Sequence, residues 1–406
     1  MPKPVNEEVN LSRSGGTGSN YASSSAAGKS LAGTRVESGA NNGASLPLVH
    51  VVIATCNGRN WIAEQVDTIL AQRNVRVHLA ISDDHSTDGT YLWLQQLADR
   101  DERVTLLPLR EGRPGVAQNF FYAVSQVTVR AGEYMAFADQ DDLWQPDKLA
   151  QQIELLELAG VAAVSSNVVA FNATGMRRKI CKDQPQRKWD YLFESAGPGS
   201  TFVLADQAAW VVQDFLRGGM DVKKMGFSKA EKTGFSGAEN AKLDGAENAG
   251  DGVENAGVTR AQNAGFGRAK IALLGKVALH DWFIYALVRS SRMRWLIDPR
   301  PHVFYRQHDS NHLGASIGLH AMKTRLQGLH SGFYREQFQV VALAAWSCGK
   351  HFQQNRRWRA QIEEIRGLLA DRSFLSRVRL AAKWRALRRR PLEGLALAGL
   401  LIMGWW

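Results

Sequence analysis

Between Leu46 and Asn172 the chain alternates, with short β-branched apolar runs trading places with amphipathic stretches. "LPLVHVVIA" reads as a buried strand, and "WIAEQVDTILAQ" after it sets Ile62, Val66, Ile69 and Leu70 at helical spacing. "VRVHLAIS", "RVTLLPL", "EYMAFA" and "VAAVSSNVVAF" read as further strands. "TYLWLQQLADR", "GVAQNFFYAVSQV" and "PDKLAQQIELLELAG" read as the helices between them, the last with Pro146 in its first turn. The pattern predicts an α/β fold with a doubly wound, mostly parallel sheet. Ligands of such sheets bind beyond the C-terminal ends of the strands. That rule puts "ATCNGRN", "SDDHSTDGT" and "DQDDLW" on one rim.

The flanks differ. Residues 1 to about 45 are rich in Ser, Gly, Ala and Asn, have no apolar periodicity, and are expected to stay disordered. Residues 217–268 repeat Gly-Ala-Glu-Asn-Ala variants, too short a period for a solenoid, and read as a low-complexity insertion; a fragmentary helix is the alternative. Order is expected to resume at "KIALLGKVALHDWFIYALVRSS", giving a main domain over 46–318 and a helical, Arg-rich region over 319–406.

Composition narrows the partners. A hydrophobic share of 45% with 22% charged residues suits a globular chain with a real core, and a net charge of +11 points to an anionic partner. Nucleic acid, a phosphorylated substrate and an acidic membrane all qualify. The three cysteines, Cys56, Cys181 and Cys348, suggest neither a disulfide framework nor a zinc site, which fits a reducing, cytosolic setting. No charged-then-apolar leader opens the sequence, and no run reaches the roughly 18 apolar residues of a spanning helix.

The chemistry concentrates on the rim. Asp139, Asp141 and Asp142 crowd the end of a buried strand. A solvated loop or a helix cap would explain such a cluster blandly. A hard cation would explain it better, because Mg²⁺ prefers oxygen ligands and keeps places for substrate phosphates. "SDDHSTDGT" reads in part as an Asx-rich turn capping the next helix through Asp88 or Thr90. Asp84 is not needed for that cap, and its carboxylate could accept from a base imide N–H. "ATCNGRN" lacks the glycines of a dinucleotide or P-loop site.

Together, "ATCNGRNWIAEQVDTILAQ", "ISDDHSTDGT", "FADQDDLWQPDKL", "GPGSTFVL", "LHDWFIYAL" and "YRQHDSNHLGA" follow the order found in family 2 inverting glycosyltransferases. The chain resembles their bacterial rhamnosyltransferase-like branch over roughly 47–215 and 270–318. The resemblance implies a GT-A fold, a nucleotide-sugar donor and a Mg²⁺ or Mn²⁺ ion. It implies that Thr55, Cys56 and Asn57 contact the nucleotide, with Glu64 in support. Asp84 would read the base, and Gly115 and Asn119 would lie beside the nucleotide-sugar. Asp139 and Gln140 would face the donor, Asp141 would be the main metal ligand with Asp139 and His308 assisting, and Asp281 would be the catalytic base. Two positions depart from the family pattern: Cys56 stands where an aromatic is common, and His85 where a small residue is. His280–Asp281–Trp282 could instead be a helix-start cap, and His308 a hydrogen-bonded structural histidine.

The C-terminal region carries many arginines between Arg356 and Arg390, interleaved with Trp358, Phe374, Leu375, Val378 and Trp384. "PLEGLALAGLLIMGWW" follows. A basic amphipathic stretch leading to an apolar end with tryptophans is the pattern of an interfacial anchor on anionic lipid. Nucleic acid is the rival partner, disfavoured by the apolar end; a helix completing the fold is the bland reading. The expected protein is a metal-dependent inverting glycosyltransferase, peripheral on the cytoplasmic membrane face. It would move a sugar, L-rhamnose from dTDP-rhamnose by branch resemblance, onto a lipid-linked or cell-surface polysaccharide acceptor. Another hexose donor such as a UDP-sugar is the first alternative, and a Mg²⁺-dependent nucleotidyl- or phosphotransferase the second.

Overall fold

The computed structural model describes residues 45–218, 272–308 and 331–406. The expected N-terminal tail, nearly all of the expected repeat insertion and the end of "YRQHDSNHLGA" lie outside the described residues. From Leu46 onward the described residues form one compact unit.

Nine strands form one sheet among the described residues: β1 (Leu48–Thr55), β2 (Arg76–Asp83), β3 (Val104–Leu106), β4 (Tyr134–Asp139), β5 (Leu143–Trp144), β6 (Ala163–Asn172), β7 (Arg177–Ile180), β8 (Val203–Ala205) and β9 (Trp295–Gln307). Their order is β3-β2-β1-β4-β8-β6-β9-β5, with β7 on β6. The first half is the parallel, doubly wound unit that the alternation predicts. α1 (Ile62–Leu70), α2 (Thr90–Ala98) and α3 (Val116–Gln126) make its crossovers.

The second half corrects the expectation of a mostly parallel sheet. β8 runs antiparallel to both β4 and β6, β7 antiparallel to β6, and β5 antiparallel to β9. The sheet is mixed. A parallel neighbour needs a crossover, usually helical. The chain instead turns back from β6 into β7 through Gly175, at φ +80°, and reaches β8 through two 3-10 turns with no α-helix between. Leu143–Trp144, expected in a loop, forms β5, and α4 (Lys148–Ala159) starts after Asp147, so Pro146 precedes the helix.

The strands are buried on both faces, which is why they read as continuous apolar runs. Val49, Val51 and Ile53 of β1 face α1, α2 and α4, whereas Val52 joins Met135 and Phe137 on the opposite face. There α3, α5 (Asp206–Arg217) and α6 (His280–Ser290) cover the sheet. Each large apolar side chain so enclosed contributes roughly 1.5–3 kcal/mol.

The C-terminal helices join this second core. α7 (Phe333–His351), α8 (Arg356–Ala370), α9 (Phe374–Ala381), α10 (Trp384–Leu387) and α11 (Pro391–Met403) bury Val341, Ile365, Leu369, Leu380, Leu387 and Leu401 in it. Two expected lipid contacts are inside the protein. Arg389 is 1% exposed, and Trp406 is buried beside Phe338 and Arg335. The cause is local. Arg389 pairs with Glu194 and Asp190 and donates to the Ser195 carbonyl, so its charge is compensated within the fold.

Lys148 is the least comfortable buried charge. Its Nζ lies 3.8 Å from the Trp144 ring centre and has no hydrogen-bond partner, and burial holds its pKa well below the ordinary lysine value. The folded state therefore resists the proton that the unfolded chain binds at neutral pH. Lys148→Met, similar in length, is expected to raise stability at neutral pH by about 1 kcal/mol or more, with the gain shrinking toward pH 10. Thermal unfolding across pH checks this; a lower Tm at neutral pH would show that the ring contact outweighs burial.

Candidate active site

The rim is built by side chains that clamp neighbouring loops. Gln140, just past β4, accepts at Oε1 from the Thr55 hydroxyl (2.6 Å) and the Cys56 N–H (2.9 Å), and donates to the Cys56 carbonyl. Asn57 donates its N–H to Ser86 Oγ and accepts from the Thr87 N–H. Asp88 accepts from the N–H groups of Arg59 and Thr90, so the Asx-type turn is present and also holds the first loop, but the N-cap of α2 is Gly89, at φ +88°, and neither Asp88 nor Thr90. Asn57 and His85 sit at φ +50° and +60°, the left-handed region that non-glycine residues enter at a cost. His85 is held there by a hydrogen bond from its ring to the Arg110 carbonyl, which explains why this departure from a small residue is tolerated.

Asp84 and Asn119 are drawn inward. Asp84 is 4% exposed, pairs with Arg110 at 2.8 Å, and accepts from the Gly115 N–H at 2.7 Å. Asn119 is buried: it accepts from the Ser82 hydroxyl and donates to the Thr55 and Ser82 carbonyls. Its side chain thus pins α3 under the ends of β1 and β2. Nothing in "GVAQNFF" signals this, because the partners lie on other strands.

The acidic cluster separates into distinct roles. Asp142 is wholly buried, accepting from Ser200 Oγ at 2.6 Å and from the Arg306 N–H. Asp141 is partly exposed and meets His308 Nε2 at 2.6 Å. The His308 ring stacks on Trp61 with centres 4.3 Å apart. Arg306 completes the frame, donating from Nε to the Asp141 carbonyl and pairing with Glu64. Among the described residues, the Glu64 carboxylate is linked to the rim through Arg306.

Asp281 stands in the first turn of α6, its carboxylate accepting from the Trp282 N–H at 2.6 Å. His280 and Trp282 point into the core: His280 stacks on Phe120, and Trp282 Nε1 donates to the Tyr191 carbonyl. The bland helix-start reading is thus partly realised, with Asp281 held by the same turn. Burial, opposed by the Trp282 N–H and the charge of Lys182, pushes its pKa up to about 6.

These carboxylates interact. Burial, then Asp141 and Asp281, raise the pKa of Asp139 far above the usual carboxylate range; burial, Asp139 and Asp141 do the same to Asp142. Tyr305 on β9 also responds to all four, its phenol pushed up by burial and by Asp139, Asp142, Asp141 and Asp281. Tyr305, Arg306, Gly199 and Ser200 lie within the motif stretches, yet nothing in the sequence assigns them a role.

The antiparallel course of β8 explains how distant residues meet here. β4 ends at the rim and β8 begins there, so the turn Gly199–Thr201 arrives beside Asp142. A Cβ on Gly199 would stand 2.4 Å from His280 Nε2 and 3.4 Å from the Asp281 Cβ. Gly199→Ala is expected to displace the start of α6 and cut turnover by about tenfold or more, with a stability loss of about 1–3 kcal/mol. Parallel kinetics and melting of this variant check it; unchanged turnover would mean that α6 yields without moving Asp281.

Among the described residues, no three Asp, Glu, His or Cys groups converge on one metal position. The three cysteines are unpaired.

Residues 50–217 match the family model described as glycosyl transferase family 2. The dTDP-rhamnosyl transferase RfbG of Shigella flexneri is 29% identical over 293 residues, covering 72% of this chain and 84% of that protein. The UDP-Glc:alpha-D-GlcNAc-diphosphoundecaprenol beta-1,3-glucosyltransferase WfgD of Escherichia coli is 23% identical over 160 residues, 39% of this chain and 60% of that protein. The crystal structure of S. aureus TarS 1-349 in complex with UDP aligns over 88% of this chain and 90% of that one, at 11% identity and a TM-score of 0.41. The rim loops, the aspartate-bearing strand end and β8 all lie within the matched segment, and residues 50–217 form a glycosyl transferase family 2 domain.

Proposed function

We propose that this glycosyltransferase catalyses inverting transfer of a sugar from a nucleotide diphosphate donor, with Asp281 as the base. The observation that carries this is the approach of Asp281, far away in sequence, to the end of β4, where its charge and that of Asp141 help burial to raise the pKa of Asp139. Inversion is a single displacement at the anomeric carbon. The acceptor hydroxyl must lose its proton, and a carboxylate with a pKa of about 6 is largely ionised at neutral pH and basic enough to take it.

The carboxylates suit a divalent cation. Among the described residues no Lys or Arg side chain pairs with Asp139 or Asp142, and the Asp141 carboxylate meets His308. Asp141 and Asp139, with His308 behind Asp141, would hold Mg²⁺ or Mn²⁺, which stabilises charge on a departing diphosphate. With so few protein ligands, donor oxygens would complete its shell. Thr55, Cys56, Asn57 and Gln140 shape the nucleotide side of the rim; Asp84 with Arg110 and Gly115 forms the floor for the base. Asn119 sets that floor from beneath.

The donor reading is dTDP-L-rhamnose, supported by the name and coverage of the RfbG relative. The acceptor reading is a lipid-linked or cell-surface glycan at the cytoplasmic membrane face, supported by the diphosphoundecaprenol acceptor in the name of the WfgD relative. A panel of nucleotide-sugars tests both, scoring nucleoside diphosphate release with membrane extract as acceptor. Preference for dTDP-rhamnose, dependent on Mg²⁺ or Mn²⁺, is the expected result. Release from a UDP-hexose alone would replace the donor assignment, and metal-independent release would remove the cation.

A further inference from the structure

We infer that the outer side of α9 and α11 is a docking surface for an anionic lipid bilayer. α11 is apolar along nearly its whole length, yet it buries only Gly394, Leu397 and Leu401. On the opposite side Leu392 (81% exposed), Leu395, Ile402 and Met403 face solvent. Their spacing puts them on one stripe of the helix. α9 and α10 run back beside it: Trp384 packs at Gly394, near one end of α11, and Arg377 at Gly404, beyond the other. Phe374 and Leu375, each more than half exposed, open α9, and Trp405, also about half exposed, follows α11. Scattered exposed apolar residues are ordinary, but a continuous stripe marks an interaction surface.

Charge selects the occupant. No Asp or Glu occurs between Arg372 and Pro391. Arg372, Arg379 and Arg385 are exposed in this stretch and form no ion pair among the described residues. An apolar stripe beside unpaired arginines complements acyl chains below anionic headgroups, each such cation adding about 1 kcal/mol near the surface. A second copy of this chain would bring the same cations against them, and a nucleic acid would leave Leu392 and Leu395 unrewarded. No helix among the described residues is long and apolar enough to cross a membrane, so this one would lie in the interface. The surface also differs from the expected anchor, since Arg389 and Trp406 are consumed by the fold.

This deepens the reading of a membrane-borne acceptor and rests on it for its purpose. The full chain would be sedimented with vesicles of phosphatidylcholine alone and of phosphatidylcholine mixed with phosphatidylglycerol. The wild type is expected to bind the anionic vesicles at least about tenfold more tightly. Leu392→Asp with Leu395→Asp, and separately Arg379→Glu with Arg385→Glu, should each cost about tenfold or more, with Tm and nucleotide binding unchanged. Variants that bind anionic vesicles as the wild type does would overturn the surface while leaving the membrane reading standing. A wild type that ignores anionic vesicles would overturn both. A lipid-free dimer abolished by the leucine pair, or preference for a nucleic-acid competitor over vesicles, would overturn the lipid assignment; neither bears on the donor chemistry.

Discussion

Asp281→Asn is expected to lower kcat by about 10²–10⁴-fold while leaving donor affinity within a few-fold of wild type. The substitution keeps the size of the side chain and the acceptor that faces the Trp282 N–H, but removes the proton-accepting charge. The pH profile makes the assignment specific. Burial raises the Asp281 pKa to about 6, so the ionised form dominates above that pH. Below it, wild-type kcat/KM should fall about tenfold per pH unit, whereas the low residual rate of the variant should lack that limb. Stability should respond to the same substitution. A carboxyl whose folded pKa lies above its unfolded value binds its proton more tightly when folded, so ionising it opposes folding. The variant should therefore gain stability above pH 6 and be near neutral well below it. Turnover close to wild type, or an unchanged acid limb, would remove Asp281 from the base role.

The second large effect is expected at Asp141. Asp141→Ala should reduce turnover by about 10²–10³-fold and abolish the enhancement of nucleotide binding by Mn²⁺, because it deletes the carboxylate of the cluster that His308 meets on the rim. The fold should survive: the local frame depends on the Asp141 carbonyl, which accepts from Arg306, and the backbone is unchanged. Asp142 provides the contrast. Its carboxylate joins Ser200 to the Arg306 N–H inside the protein, so Asp142→Ala should unfold more readily and leave two buried donors unpaired. Calorimetry of the nucleotide with and without Mn²⁺ separates the two variants. A metal response retained by Asp141→Ala would move the cation elsewhere.

Periodicity exposed β1, β2 and β4 because both faces of these strands are buried and the helices between them are amphipathic. It missed β5 and β8, whose two and three residues are too short to carry a period. It also missed the antiparallel course of β8, which depends on the absence of a helical crossover. The resemblance placed Asp139, Asp141 and Asp281 together, and the structure brings them into electrostatic contact. It did not anticipate Arg306, because the groups it binds come from α1 and from the end of β4. The arginine run misled for the same reason. Asp190 and Glu194, which neutralise Arg389, lie nearly half the chain away, so composition alone made a buried charge look like a surface one.

The strand order also divides the rim by how far the chain must travel to close it. β1, β2 and β3 pair through successive short crossovers, so the loops that carry Thr55 and Asp84 are closed locally, whereas β4 returns to the far side of β1. β9 instead pairs Trp295 with Ala163 and Phe304 with both Val169 and Leu143, the widest sequence separations in the sheet, and it brings Arg306 and His308 to the rim. Closing such separations costs more chain entropy, and that cost weighs more heavily as temperature rises. Heating should therefore loosen β9 from β6 and β5 first, and nucleotide binding should outlast sugar transfer.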